Sequence, residues 1–239
     1  MVLIHRMNTK IVVKVEDIIQ RNYNVKSFRL KLPFAPEFKA GQFLAVTLNN
    51  DPQLKRYLSI SNSPTENKYL EFTKKITQSD FSKALDNLKA GSELLMEYPF
   101  GNFTLGEDKK VAFLSGGIGI TPIRSICRFA ADEELDIDIC LIYANRLARD
   151  IVFKDDFEKM QEIYPKLKVT HVLCEPEPGF KCTAGFINAA VVRKEVPDYA
   201  ERKFYICGPP QMVEAMRKIL SQELLLKDTR IVTENFQGY

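Results

Sequence analysis

The sequence predicts two domains, an antiparallel β-barrel followed by an α/β domain whose parallel sheet carries helices on both faces. Three features support this. From Thr9 to about Glu97 the chain runs in short, β-branched segments of alternating polarity with turn residues between them, the pattern of half-buried strands. Beyond Gly106 it changes to strand, helix, strand, helix, the alternation expected when parallel strands are joined by helical crossovers. Early in that second region, Ser115-Gly116-Gly117-Ile118-Gly119-Ile120-Thr121-Pro122 bends a strand into a helix through glycines. The pattern changes near Phe103–Glu107, which divides the chain into residues 1–105 and 106–239. A length of 239 residues suffices for two cores.

In the first domain the clearest strands are Ile11–Val15, Ser27–Leu32, Gln42–Val46, Tyr57–Ile60 and Tyr69–Thr73. One helix interrupts them over Asp80–Leu88, with Phe81, Ala84, Leu85 and Leu88 on a single face. The second domain opens with a strand at Val111–Leu114 and a helix for which Thr121 is the expected N-cap and Pro122 the first helical residue. Strands at Ile137–Tyr143, Leu167–Leu173 and Phe204–Cys207 follow, with helices over Asp155–Tyr164 and Gln211–Leu226. There is no internal repeat and no low-complexity tract.

Composition narrows the class. Apolar content of 45% and charged content of 27% are those of a globular protein, and no apolar run is long enough to span a bilayer. The segment Met1–Met7 resembles neither a secretory signal nor a transit peptide. Five cysteines are scattered without a C-x-x-C pair, so a disulfide framework or zinc site is not expected and a reducing cytoplasm is. With only His5 and His171, imidazole-based metal chemistry is not expected either. The net charge of +3 is uneven: residues 1–105 hold 15 Lys and Arg against 10 Asp and Glu, and the remainder hold 19 against 21. A basic first half can steer an acidic partner. It lacks the dense basic patch with interleaved aromatics that nucleic acid requires.

Three segments carry chemistry. In Arg56-Tyr57-Leu58-Ser59, strand alternation puts Tyr57 and Ser59 on one side, where a ring and a hydroxyl can meet the same flat ligand; Arg56 has the reach to pair with a phosphate. The glycine segment Gly116–Thr121 lets backbone approach a pyrophosphate and presents the free amides and positive dipole end of a helix. It reads G-G-x-G-x-T-P, so it is not the usual G-x-G-x-x-G fingerprint. Cys207-Gly208-Pro209-Pro210 ends a strand and starts a helix, at the strand end where open α/β sheets bind ligands.

Taken in order, these motifs resemble those of the ferredoxin–NADP(+) reductase superfamily, from about Thr9 to Tyr239. Gly41-Gln42-Phe43 is similar to the family's segment before the flavin strand, and Arg56-Tyr57-Leu58-Ser59 to its Arg-Tyr-x-Ser form. Pro99-Phe100-Gly101-Asn102-Phe103 resembles the segment that closes the barrel. Ser82 is similar to the serine of a G-x-x-S at a helix start, with Ser79 in place of the glycine. The resemblance implies that Arg56 neutralises a flavin pyrophosphate, that Tyr57 packs on the flavin, that Ser59 bonds near its N5, and that Ser82 caps the helix holding the diphosphate. Leu58 and Thr73 complete the flavin set, and the serine-led helix favours FAD over FMN. In the second domain it implies nucleotide contacts from Gly116, Gly117, Gly119, Thr121, Pro122, Asn145, Arg146, Gly208 and Pro209. Cys207 is expected near the nicotinamide C4, Glu234 at the active site, and Phe236 over the flavin face, with Tyr239 the other aromatic that could cover it.

The implied activity is that of an FAD-dependent NAD(P)H:acceptor oxidoreductase. Hydride passes from nicotinamide to flavin N5, then single electrons pass to an acidic ferredoxin, a flavodoxin or an oxygenase component. NADH and NADPH both remain open; Cys174-Glu175 after the third strand of the second domain tilts the expectation toward NADH, because an acidic group repels a 2′-phosphate. The other readings are a free-flavin or ferric-chelate reductase and a non-autonomous electron-transfer subunit. No C-x4-C-x2-C cluster is present, so no fused plant-type iron–sulfur domain is expected.

Overall fold

Residues 9–235 are described by the structure, a computed structural model. β1 (Thr9–Asn22), β2 (Val25–Lys31), β3 (Phe43–Thr47), β4 (Lys55–Ser59), β5 (Leu70–Lys75) and β6 (Glu93–Phe100) form one antiparallel sheet in the order β4-β3-β6-β1-β2-β5. Its two edges meet through the Ile60–Phe72 bridge and the Ser61 N–H, which donates to the Glu71 carbonyl at 2.7 Å. The sheet is therefore a barrel, which removes the edges that an open sheet would leave unpaired. Alternation sends Val13, Phe28, Leu44, Leu58, Phe72 and Met96 into its core. α1 (Asp80–Asp86) adds Phe81 and Leu85 to the same core.

β7 (Lys110–Gly116), β8 (Asp138–Asn145), β9 (Leu167–Leu173), β10 (Thr183–Ala184), β11 (Lys203–Gly208) and β12 (Ile231–Asn235) form a second sheet in the order β10-β9-β8-β7-β11-β12, parallel throughout. Successive residues of a strand enter opposite cores. Val111, Phe113, Leu141, Tyr205 and Cys207 pack with α2 (Ile120–Asp132) and α3 (Lys154–Ile163). Ala112, Leu114, Ile142 and Ile206 pack with α4 (Ala189–Glu195) and α5 (Pro210–Lys218). Helices on both faces make these strands near-continuous apolar runs, as the sequence pattern requires.

The helix starts differ in detail from expectation. α2 begins at Ile120 behind a 3₁₀ turn, Gly117–Gly119, and its N-cap is Gly119 rather than Thr121. Thr121 instead lies in the first turn, where its hydroxyl donates to the Ile118 carbonyl at 3.1 Å. In α1 the cap is Ser79, whose Oγ accepts the Ser82 N–H at 3.3 Å; Ser82 itself is three residues inside the helix. α5 ends at Lys218 and passes into a π-turn over Ile219–Glu223, short of the expected Leu226.

Candidate functional site

Strand register assembles one row of groups where the barrel meets the carboxyl ends of the parallel strands. Across β8, β7, β11 and β12, Tyr143 pairs with Ser115, Ser115 with Cys207, and Cys207 with Glu234. From the barrel side, Ser59 pairs with Phe43, and Phe43 with Phe100. The halves touch at Gly101: a Cβ there would lie 2.6 Å from the Phe43 ring and 3.6 Å from Glu234 Oε1. Ser59, Phe43, Gly101, Glu234 and Cys207 are thus linked neighbour to neighbour across the domain junction, a chain that joins Ser59 to Glu234 over 175 residues of sequence.

The junction is short of hydrogen bonds. Ser115 Oγ and Glu234 Oε2 on the sheet side and Ser59 Oγ on the barrel side are buried without a partner. A buried polar group left unpaired costs roughly 1–3 kcal/mol, so these three beside the domain junction mark positions suited to polar ligand atoms. Burial raises the Glu234 carboxyl to about 8, so at neutral pH it holds a proton. Burial, with Glu234 alongside, pushes the Cys207 thiol up, and Cys207 is therefore a neutral, closely packed thiol and not a nucleophile.

The flavin-type residues divide. Tyr57 is 55% exposed on the outer barrel face, edge-on to Phe43 at 5.8 Å and to Phe100 at 6.0 Å, leaving an aromatic surface open beside Ser59. Arg56 sits over the Phe81 ring at 5.4 Å and donates to the Gln53 and Lys55 carbonyls at 3.0 and 2.7 Å. It is thereby brought to the first turn of α1. Leu58 points into the barrel core, the opposite face from Tyr57 and Ser59, so its side chain does not face the cleft. Thr73 is buried, with its hydroxyl hydrogen-bonded to Ser27 and Ser61 at 2.6 and 2.9 Å. Ser82 Oγ shares a hydrogen bond with Thr77 at 3.1 Å.

On the nucleotide side a cavity of about 560 Å³ opens beside the glycine turn, and Gly116, Gly117, Asn145, Arg146 and Pro209 line it. The three glycines have different jobs. At Gly117, φ is +52° and a Cβ would meet nothing within 4 Å, so this is the residue at which backbone faces open space. At Gly119 a Cβ would lie 2.4 Å from the Cys207 carbonyl oxygen, so its bareness serves the close approach of α2 to β11. At Gly116 the neighbour is Met212 Sδ, at 2.2 Å. Gly119, Thr121, Pro122 and Gly208 stand behind this wall and do not line the cavity. Arg146 donates to Glu175 at 2.7 Å, pairing the cation and the acid between which a 2′-phosphate would have to choose.

Several contacts at the site were not legible in the sequence. The Tyr143 hydroxyl donates to the Gly117 carbonyl at 3.0 Å and accepts the Val152 N–H at 3.3 Å, bracing the open turn from beneath. Asn24 and Lys75, both from the barrel, line the nucleotide cavity, as do Phe186 and Met212. Tyr23 reaches across to Asp150 at 2.6 Å. Phe236 and Tyr239 lie outside the described residues. Among the described residues no group of three metal-ligating side chains gathers, and no helix is long and apolar enough to cross a membrane.

A barrel bearing an open aromatic and an unpartnered hydroxyl, joined to a parallel sheet with a glycine turn at its carboxyl edge, defines a two-domain dinucleotide-binding oxidoreductase. Comparison with known proteins agrees. The oxidoreductase FAD-binding domain matches residues 12–105, and the oxidoreductase NAD-binding domain residues 113–218. The NADH-cytochrome b5 reductase 1 of Aspergillus terreus is 31% identical over 215 residues, 82% of this chain and 72% of that protein. The glycine betaine monooxygenase reductase subunit of Chromohalobacter salexigens is 32% identical over 222 residues, covering 87% of this chain and 59% of that one. In fold, an Amycolatopsis cytochrome P450 reductase superposes with a TM-score of 0.84 at 24% identity, over 97% of this chain and 71% of its own. The chain belongs to the ferredoxin–NADP(+) reductase superfamily of FAD- and NAD-binding oxidoreductases. It spans about 59–61% of the length of the glycine betaine monooxygenase reductase subunits it matches.

Proposed function

We propose that the protein is an FAD-dependent NAD(P)H:acceptor oxidoreductase, with FAD held by residues 1–105 and the nicotinamide nucleotide by residues 106–239. The observation that carries this reading is the row of unpartnered buried groups, Ser59 Oγ and Glu234 Oε2 among them, where the two domains meet. When bound, FAD supplies the chemistry that protein side chains lack, accepting a hydride and releasing electrons one at a time. The chain's own work is binding, orientation and exclusion of water. Arg56 and the α1 turn bearing Ser82 suit a diphosphate, and Tyr57 offers a ring to stack upon. Leu58 contributes backbone only, and Thr73 supports Ser61 from behind. Gly117 opens the wall for the nucleotide pyrophosphate, with Asn145 and Arg146 beside it.

Ser59, Cys207 and Glu234 line the place of hydride transfer. The Ser59 hydroxyl is free to donate, the protonated Glu234 carboxyl adds a second donor near pH 7, and the small neutral Cys207 allows close approach. Holding two reactants in near-attack geometry is worth as much as roughly 7–11 kcal/mol of barrier, which is why orientation suffices without covalent catalysis. Phe236 is assigned the cover over the flavin face on the resemblance alone. The Arg146–Glu175 pair favours NADH, since a 2′-phosphate would have to displace the carboxylate.

The acceptor we assign is an acidic electron-carrier protein or oxygenase component, supported by the basic first half and by the reductase-subunit names of the first relatives. A reducing cytoplasmic setting suits five cysteines that are all free. The test is direct. Purified protein supplied with FAD should be yellow, and should bleach on anaerobic addition of NADH. Protein that stays colourless after FAD soaking and gel filtration would refute the proposal.

A further inference from the structure

Arg124, in the second turn of α2, has no place in the reaction proposed above, yet it is the most heavily engaged cation at the domain junction. Its side chain is 8% exposed. Nη1 donates to the Ser61 carbonyl at 3.1 Å, and Nη1 and Nη2 together grip the Glu66 carboxylate. Nε donates to Asp156 at 3.2 Å, and the guanidinium lies 5.6 Å from the Phe153 ring centre. The next residue extends the grip, because Ser125 Oγ donates to the Asn62 carbonyl at 2.6 Å. Glu66 in turn accepts the Ser63 N–H at 2.8 Å. Three consecutive barrel residues, Ser61, Asn62 and Ser63, are thus held from α2, directly or through one carboxylate.

Those residues follow Ser59 with only Ile60 between. On their barrel side they are fixed too: the Ser61 N–H donates to the Glu71 carbonyl, and Asn62 Oδ1 accepts the Glu71 N–H, both at 2.7 Å. On the other side α2 starts directly from the Gly117–Gly119 turn. Arg124 stands five residues beyond Gly119, about 7–8 Å along the helix at 1.5 Å per residue. A short, rigid path therefore runs from the nucleotide turn along α2, through Arg124 and Ser125, to Ser61–Ser63 and back to Ser59. Burial opposes the Arg124 charge, but Glu66 and Asp156 outweigh it and hold the guanidinium protonated. Glu66 is likewise held below its ordinary range by Arg124 despite its own burial. The bridge is charged throughout the physiological range.

We propose that Arg124, seconded by Ser125, is a positioning residue that sets the separation between the nucleotide turn and Ser59, and so the registry of nicotinamide on flavin. The inference rests on the FAD and nucleotide reading above. Its consequence is kinetic, since displacing reacting groups by about 1 Å can cost on the order of 100-fold in rate. Lysine cannot substitute, because a single ammonium lacks the planar fork that spans Ser61, Glu66 and Asp156 together.

The test compares wild type, Arg124→Lys and Ser125→Ala, loaded with FAD, by anaerobic stopped-flow reduction across a range of NADH. Charge-transfer absorbance with NAD+ on the reduced proteins is measured as well. Arg124→Lys is expected to lower the limiting rate of flavin reduction roughly 10–100-fold and to weaken the charge-transfer band, with FAD retention and nucleotide Kd within about threefold. Ser125→Ala, a milder change that leaves the guanidinium in place, is expected to lower the rate by about three- to tenfold. Variants with the wild-type limiting rate and charge-transfer band, or with a lower melting temperature as the sole change, would overturn the positioning role while leaving the oxidoreductase reading intact. A wild-type protein that NADH fails to reduce would overturn both.

Discussion

Gly117 and Gly119 are two residues apart, and the structure predicts opposite outcomes for the same substitution. Gly119→Ala would place a Cβ 2.4 Å from the Cys207 carbonyl oxygen and 2.6 Å from both the Cys207 carbonyl carbon and the Gly208 Cα. All three are backbone atoms of β11, paired on both sides with β7 and β12, with no flexible side chain to turn aside. To restore ordinary contact at 3.4 Å, α2 has to retreat from β11 by about 1 Å. Overpacking of this kind costs about 1–3 kcal/mol, and a rigid backbone neighbour puts Gly119→Ala at the upper end. Gly117→Ala meets nothing within 4 Å; its cost is the left-handed backbone at φ +52°, about 1 kcal/mol. Its methyl, however, projects into the open side of the turn and should weaken nucleotide binding by about tenfold or more, or roughly 1.4 kcal/mol. Urea unfolding followed by circular dichroism, at constant m-value, gives the first quantity, and a titration with NAD+ gives the second. Gly117→Ala binding nucleotide like wild type, or Gly119→Ala matching wild type in urea midpoint, would refute the assignment of one glycine to the ligand and the other to packing.

Ser59→Ala removes a buried hydroxyl that has no partner, so the apoprotein should be as stable as wild type or slightly more stable, while flavin reduction by NADH slows by about tenfold; a clear loss of apoprotein stability would show that Ser59 Oγ is satisfied within the fold. Glu234 is protonated in the folded state up to about pH 8 but ionises near 4.5 when unfolded, so the folded state binds the extra proton between those values and stability falls as pH rises through that window. The slope is at most about 1.4 kcal/mol per pH unit and levels off above 8; it should be absent in Glu234→Gln, and parallel pH profiles for the two proteins would refute a raised carboxyl. Glu175→Gln frees Arg146, so kcat/KM for NADPH should rise about tenfold with NADH little changed, and an unaltered NADPH value would remove this pair from nucleotide choice.

The two-domain plan could be read because each domain imposes its own period. Strands buried on one face alternate, as in Ser27–Leu32, and strands buried on both faces run apolar, as in Val111–Leu114. β6 was less legible than its neighbours because Leu95, on the outer face between buried Leu94 and Met96, masks the alternation. β1 runs on from Val15 to Asn22 through two register shifts, one of them flanking Glu16, which break the pattern a simple period detects. α4 is seven residues long, too short for a helical period to stand out, and is marked chiefly by its Asn188 cap. At the site, motifs located the glycine turn and Ser59, but backbone geometry decided which glycine faces open space and that Ser79, not Ser82, caps α1. Pairs such as Tyr23 with Asp150 and Arg124 with Glu66 join residues 127 and 58 positions apart and leave no local trace. They are properties of domain packing, which a single sequence does not spell out.

If Ser59, Cys207 and Glu234 do frame the meeting point of nicotinamide and flavin, hydrogen must pass directly between the two rings, sheltered from water. Anaerobic reduction of the FAD-loaded protein by NADH carrying deuterium at the transferred C4 position measures this most directly. The prediction is complete bleaching by one equivalent of nucleotide, with a primary isotope effect on the limiting rate. A limiting rate of bleaching that is the same with labelled and unlabelled nucleotide in single turnover would contradict it.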